Sequence, residues 1–265
     1  MRIIYILILC SVLATALLWL GRWQKITRRT AVVGAALSLA LAGVLLLLAV
    51  LPGNSFYGNV LTQAHTQRKI IALTFDDGPY PPYTQKLLKL LAQKHVKATF
   101  FMVGENAAEH PELVHAVQSE GHLIALHAGY HKDLLKLSSD EVRANIAYGK
   151  STLTSITGTE PHYMRPPHGF KDWSVVSTIE GAGLQVTNWS IIPRDWTNPG
   201  AQVIADRVLE KAEPGAIVLL HDGDSPQKQA PREQTIEAVG LIIDALRAQG
   251  YEFVTVEEIA KENNL

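Results

Sequence analysis

The sequence predicts an α/β domain whose parallel strands close, or nearly close, into a barrel, preceded by a helical hairpin that crosses a membrane. Three observations carry this reading. Between residues 69 and 265, seven short apolar runs alternate with amphipathic stretches, the pattern of strands joined by helical crossovers. The polar residues able to do chemistry stand directly after those runs, where the strands of such a barrel end. Ahead of them, two long apolar segments flank a loop that holds Arg22, Lys25, Arg28 and Arg29.

The apolar segments cover residues 3–20 and 31–51, each near the roughly 20 residues that a bilayer-spanning helix needs. An excess of Lys and Arg marks the cytoplasmic side, so the basic loop is expected inside and both ends of the hairpin outside. Trp19 and Trp23 flank that loop as headgroup-level aromatics. A cleaved signal sequence is the alternative for the second run. No Ala-x-Ala-like site follows it, however, and the first run is then unexplained. The expected organisation is two transmembrane helices over 1–51, a linker over 52–68 and an outer domain over 69–265. The chain is thus expected to be a multi-pass protein of the cell membrane with its domain outside the cytoplasm.

Five of the 24 basic residues and none of the 25 acidic ones lie in residues 1–51, leaving 19 against 25 and a formal net charge of −6 for the remainder. That balance argues against nucleic acid, whose binding needs a basic footprint. The one cysteine, Cys10, falls inside the first apolar run, so disulfides contribute nothing outside the hairpin. No repeat or low-complexity tract appears.

Strands are expected near 70–75, 98–103, 122–126, 162–164, 184–189, 216–220 and 251–255. Among the intervening helices, 84–95 carries Leu87, Leu88, Leu90 and Leu91 on one side, and 112–119 is a shorter one. Another starts near Ser138, which has capping-box spacing to Glu141. A last one runs from near Arg232 to Ala248 and is stopped by Gly250.

Asp76 and Asp77 end the first run and are followed by Gly78 and Pro79. Two neighbouring carboxylates at a buried strand end repel each other, which implies a metal ion or a split of protonation; alone, the pair also fits a plain turn with two solvated acids. His127 and His131 follow the third run at i, i+4, on one face if the segment is helical, a spacing that suits zinc and equally suits two surface histidines. Asp77 at another strand end makes a three-ligand site the favoured reading. Arg165, followed by Pro166 and Pro167, ends the fourth run and can hold one aspartate ionised, though a surface Arg on a stiff Pro-rich connection reads the same way. His221 ends the sixth run and can act as a general acid if a carboxylate raises its pKa, for which Asp195 is the candidate; a satisfied core histidine is the plainer reading.

These five stretches, in this order, resemble the NodB-homology polysaccharide deacetylases, the family four carbohydrate esterases. The resemblance covers the region from about Lys69 to the last helix and leaves out the hairpin. It implies a distorted (β/α)7 barrel with Asp76 as catalytic base, Asp77, His127 and His131 as ligands of Zn2+ (Co2+, Ni2+ or Mn2+ as substitutes), and Arg165 orienting the base. It further implies that Asp195 tunes His221, the general acid, that Trp196 and Leu219 line the acetyl pocket, and that Pro166 belongs to the substrate-facing motif. Tyr130, between the two histidines, is a further substrate-side candidate, with packing as its plainer role.

Three residues depart from the family pattern. Ala128 stands where Ser or Thr is usual, Ile192 where an aspartate is often found, and His168 where an aromatic commonly follows the Arg-Pro-Pro stretch. None is a proposed catalytic group. The implied reaction is metal-assisted hydrolysis of an N-acetyl group on a cell-envelope glycan, peptidoglycan first and a chitin-like or exopolysaccharide substrate next, by a monomer whose other partner is membrane lipid. An O-acetyl polysaccharide esterase with the same residues, or a non-catalytic glycan-binding relative, are the alternatives.

Overall fold

In the computed structural model, which describes residues 2–223 and 231–263, the apolar N-terminal segments form helices α1 (Ile3–Arg22) and α2 (Arg28–Val50). Thr27 caps α2 by accepting a hydrogen bond from the Thr30 backbone N–H at 3.1 Å. The two helices pack along each other closely enough that Gly21 faces Ala31 and Gly34 faces Leu17. Both are long and apolar enough to cross a membrane, and most of their large apolar side chains point away from the protein.

The rest of the chain alternates as predicted. It runs through β1 (Ile70–Asp76), α3 (Tyr83–Lys94), β2 (Thr99–Met102), α4 (Gly104–Glu109), α5 (Pro111–Ser119), β3 (Leu123–Leu126), α6 (Ser139–Thr157) and β4 (Tyr163–Met164). It continues through α7 (Trp173–Gly181), β5 (Gln185–Val186), α8 (Ala201–Leu209), β6 (Ala216–His221), α9 (Glu233–Ala248), β7 (Glu252–Phe253) and α10 (Val256–Glu262). The Ser138/Glu141 capping box that starts α6 is present in full. Short α4, α7, α8 and α10 add to the helices expected from periodicity.

All strand pairs are parallel, in the order β5-β4-β3-β2-β1-β6, with β7 beside the start of β1. Every residue of β1 is buried, as befits a central parallel strand covered on both faces. The two edges of this curled sheet are joined by single bridges. Leu61 pairs with Thr187, Gln63 with Ala216 and Ile191 with Val218. The strand expected over 184–189 is therefore a two-residue pairing with β4, after which the chain turns across to β6. Residues ahead of β1 also take part in the core, with Tyr57, Val60, Leu61 and Ala64 buried.

The hairpin is docked on the barrel. The Lys171 ammonium donates to the Leu51 and Pro52 carbonyls at 2.7 and 3.2 Å, and its backbone N–H to Ala49 at 3.0 Å. Arg2 donates to the Leu134 and Leu137 carbonyls and lies 3.7 Å from Asp172, which also accepts the Ile3 N–H. Ile3, Leu45 and Ala49 belong to the same apolar cluster as the barrel core.

Candidate active site

Parallel β1 and β6 end in register, with Asp76 opposite His221. This places both at the rim that also receives the ends of β3 and β4, so residues far apart in sequence converge because each follows a buried apolar strand.

Arg165 lies fully buried just after β4 and reaches under β1. Its Nη1 donates to Asp76 Oδ1 at 2.5 Å and to Thr74 Oγ1 at 2.9 Å. Its Nη2 and Nε donate to the Asn188 and Thr187 carbonyls at 2.9 and 3.3 Å. The guanidinium carbon sits 4.0 Å from the Phe101 ring centroid and 5.5 Å from that of Trp189. Stacked and hydrogen-bonded on every side, the guanidinium has one position available to it. Burial pushes the Asp76 carboxyl up to about 6 against the opposing pull of Arg165 and His221.

Asp77 has a left-handed backbone (φ 74°), and its carboxylate and that of Asp76 both approach His127 Nε2, Asp76 Oδ2 at 3.7 Å. Asp77 Oδ1 lies 3.5 Å from His127 Nε2 and 3.4 Å from His131 Nε2. His127 Nδ1 donates to the Arg165 carbonyl at 2.8 Å, which leaves Nε2 as the lone-pair nitrogen facing Asp77. Burial, with His131 and Arg165 next to it, holds His127 well below the usual imidazole range and therefore neutral. The three ligand atoms lie within 4.8 Å of one another. Donors around a tetrahedral ion at about 2.0–2.2 Å are spaced about 3.4 Å apart, so this set of one carboxylate and two imidazoles fits a zinc-like divalent ion.

The segment that carries the two histidines is a loop and not the helix that the i, i+4 spacing allowed. Ala128 has φ 68°, which no helix accommodates, and Asn145 of α6 clamps the loop. Its Oδ1 accepts the Gly129 and Tyr130 N–H groups at 2.6 and 3.0 Å, and its Nδ2 donates to the Tyr130 carbonyl at 3.1 Å. A Cβ on Gly129 would meet the Asn145 carbonyl at 2.4 Å, so the loop can approach α6 this closely only with glycine there.

His221 faces Asp195. Asp195 accepts from His221 Nδ1 and from the His221 backbone N–H, both at 2.9 Å, and from Thr235 Oγ1 at 3.0 Å. Burial alone would depress the imidazole, but the Asp195 carboxylate overrides it and carries the pKa up to about 9. Asp195 is itself held below its ordinary value, because His221, Arg232 and Thr235 outweigh its burial. Trp196 stands edge-on to the His221 ring at 5.3 Å and is exposed, and Leu219 is buried behind it.

Asp76, Asp77, His127, His131, Trp196, Leu219 and His221 line one cleft of about 540 Å³. Pro166 and Tyr130 are not in its lining. Pro166 is buried in the turn beneath, and the Tyr130 ring is stacked on Tyr148 at 4.8 Å. The arrangement can hold a divalent ion, keep one carboxylate as a base and present a protonated imidazole across a small pocket, the requirements of acyl-group hydrolysis.

Comparison with known proteins agrees with that chemistry. Residues 63–187 match the family model described as polysaccharide deacetylase. A peptidoglycan-N-acetylglucosamine deacetylase of Bacillus cereus is 41% identical over 206 residues, which cover 77% of this chain and 94% of the relative. The chain belongs to the polysaccharide deacetylase family. A chitooligosaccharide deacetylase of Rhizobium leguminosarum bv. trifolii is likewise 41% identical, over 71% of this chain and 91% of its own. Among solved structures, a peptidoglycan N-acetylglucosamine deacetylase in complex with 4-naphthalen-1-yl-N-oxidanyl-benzamide superposes with a TM-score of 0.72 at 32% identity, covering 76% of this chain and 92% of that one.

The three departures from the deacetylase pattern have defined surroundings. Ala128 is buried, and the loop it belongs to is stiffened from outside by Asn145. Ile192 lines the cleft. So does His168, whose ring meets His131 edge-on at 5.0 Å and whose pKa is lowered by burial and by His131.

Two further buried residues escaped the sequence reading. Asp222, directly after His221, lies beneath Asp77 and Gly78, accepts from Thr84 Oγ1 at 2.6 Å and is pushed up to about 7, mainly by burial. Arg232, read as a helix start, lines the cleft and donates to the Gly223 carbonyl at 2.8 Å. The available signal was an acid immediately after His221 and an arginine beside a proline; neither distinguishes a buried role from a surface one.

Proposed function

We propose that this chain is a membrane-anchored deacetylase that hydrolyses N-acetyl groups of an N-acetylated cell-envelope glycan and releases acetate. The observation that carries the reading is the separation of two adjacent carboxylates: Arg165 grips Asp76, and two histidines gather on Asp77. Asp77, His127 and His131 hold the divalent ion, zinc first, which when bound supplies Lewis acidity toward the acetyl carbonyl and acidifies water. Asp76, kept in place by Arg165, takes the proton from the attacking water. His221, kept protonated by Asp195, gives its proton to the leaving amine as the C–N bond breaks. Trp196 and Leu219 flank the acetyl group.

Peptidoglycan is the first substrate class, on the strength of the Bacillus cereus relative, and a chitin-like oligomer the second, on that of the Rhizobium one. The basic loop of Arg22, Lys25, Arg28 and Arg29 supports a hairpin with that loop in the cytoplasm and residues 69–265 outside. A single copy supplies every group of the site, in keeping with a monomer.

Acetate release from purified peptidoglycan, chitin oligomers and O-acetylated polymers, with zinc, cobalt and nickel compared, tests the reading. Metal-dependent release from an N-acetyl substrate is the expected result. Release only from O-acetyl substrates would replace it with an esterase. A reporter fused to the C-terminus is expected to be active outside the membrane.

A further inference from the structure

Part of the catalytic cleft is made by the membrane hairpin. Val50, the last residue of α2, and Pro52 line the same cleft as Asp76, Asp77 and His221. No slack chain separates anchor from enzyme. Lys171 binds three carbonyls at the end of α2, from Ala49, Leu51 and Pro52, and Asn188 Nδ2 also donates to Pro52 at 3.1 Å. Asp172, the next residue after Lys171, holds the start of α1 through Ile3 and Arg2. The domain is thus fastened to both outer ends of the hairpin and cannot swing away from it as a tethered domain would.

The height of this docking can be read along α2. The Tyr57 hydroxyl donates to the Leu45 carbonyl at 2.6 Å. At about 1.5 Å of rise per residue, Leu45 lies about 7.5 Å deeper than Val50. The headgroup layer on one side of a bilayer is about 5–8 Å thick. Tyr57 packs with Phe56 and Trp173, ring centroids 4.7–5.3 Å apart, and Phe56 remains exposed. Aromatic side chains with one apolar and one polar end favour that layer. The last turn of α2 and its aromatic collar therefore sit among the headgroups, and the cleft that Val50 helps to wall opens at their outer boundary.

A glycan strand tens of ångströms from the membrane does not come to such a cleft, whereas a sugar joined to a lipid headgroup is presented at its level. We propose that the substrate is an N-acetylated amino sugar still carried on a membrane lipid, deacetylated within a unit or two of its attachment. This rests on the anchored-deacetylase reading above and adds where the acetyl group must stand. The chemistry is the same hydrolysis, with water as the only co-reactant.

The test uses the full chain, reconstituted with zinc in vesicles that carry one of two lipids at equal surface density. In one, di-N-acetylchitobiose is joined directly to a dialkylglycerol. In the other, it is raised on a polyproline stalk of about 20 residues, or about 60 Å at about 3.1 Å per residue. Soluble N-acetylchitooligosaccharide serves as the common control. Equal surface density removes the advantage of local concentration, so only height differs. The expected result is acetate release at least about tenfold faster from the short lipid, a difference of about 1.4 kcal/mol in transition-state binding. Equal rates, faster release from the raised sugar, or hydrolysis of the soluble control alone would overturn the proposal while leaving the deacetylase reading in place. Failure on all three substrates would overturn the deacetylase reading and the proposal together.

Discussion

His127 donates its Nδ1 hydrogen bond to the backbone carbonyl of Arg165 at 2.8 Å, while the side chain of the same arginine grips Asp76 at 2.5 Å. One residue therefore sets the tautomer of a candidate ligand through its main chain and the orientation of a candidate base through its guanidinium. The two halves of the site are coupled through Arg165.

Replacing Asp76 by Asn keeps the shape of the base and removes its function. The expected outcome is a loss in kcat of about 10²–10⁴-fold with the zinc content of the purified protein unchanged. Equal loss of zinc would instead make Asp76 part of the ligand set.

Arg165→Lys keeps a charge but loses the fork that holds Asp76, Asn188 and Thr187 together and the stack on Phe101. We expect kcat to fall about 10–100-fold, the range for partners that orient a metal site. The acidic limb of the pH profile should shift upward, because the group that opposes the burial of Asp76 is weakened.

The rate itself should follow a bell-shaped pH curve. Asp76 works deprotonated and stands at about 6, so kcat/KM is expected to rise as pH climbs through that value. His221 works protonated and stands at about 9, so activity should fall as pH passes it. Asp195→Asn removes the carboxylate that raises His221, and the alkaline limb should move to lower pH. An alkaline limb that stays in place in this variant would exclude the pair from proton transfer.

Asn145→Ala leaves all three ligands intact but releases the loop that presents two of them. Zinc affinity, measured by competition with a chromogenic chelator, is expected to drop about 10–100-fold, whereas Asp77→Ala should abolish stoichiometric binding.

Gly78→Ala would place a Cβ 2.4 Å from Asp222 Oδ2. Such overpacking costs about 1–3 kcal/mol. A fall in Tm of roughly 2–10 °C in thermal unfolding is the expected readout.

The barrel was legible because its longer strands are largely buried apolar runs whose ends are marked by a polar residue, as at Phe75–Asp76, Leu126–His127 and Leu220–His221. What periodicity could not supply was geometry decided by contacts across the fold. The His127 to His131 segment is a loop because Asn145, from a different helix, binds its backbone and Ala128 adopts a left-handed conformation. The short strands β4, β5 and β7 have two residues each, so their runs overstate them. Six-residue α4 carries no apolar stripe to be recognised. Nothing in the sequence marks Asp222 or the helix-start residue Arg232 as buried, and only the packing around them makes them so.

The Arg2–Asp172 contact also bears on how the protein is made. Arg2 leaves the ribosome about 170 residues before its carboxylate partner, and the pocket that receives it, between Leu134, Leu137 and Asp172, exists only after β4 and α7 have assembled. Under the anchored topology proposed above, the Arg2 side chain waits near the headgroups until the barrel has folded, and it is locked in afterwards. Closure of this contact is a late event in folding, and it seals the first helical segment to a domain completed long after it.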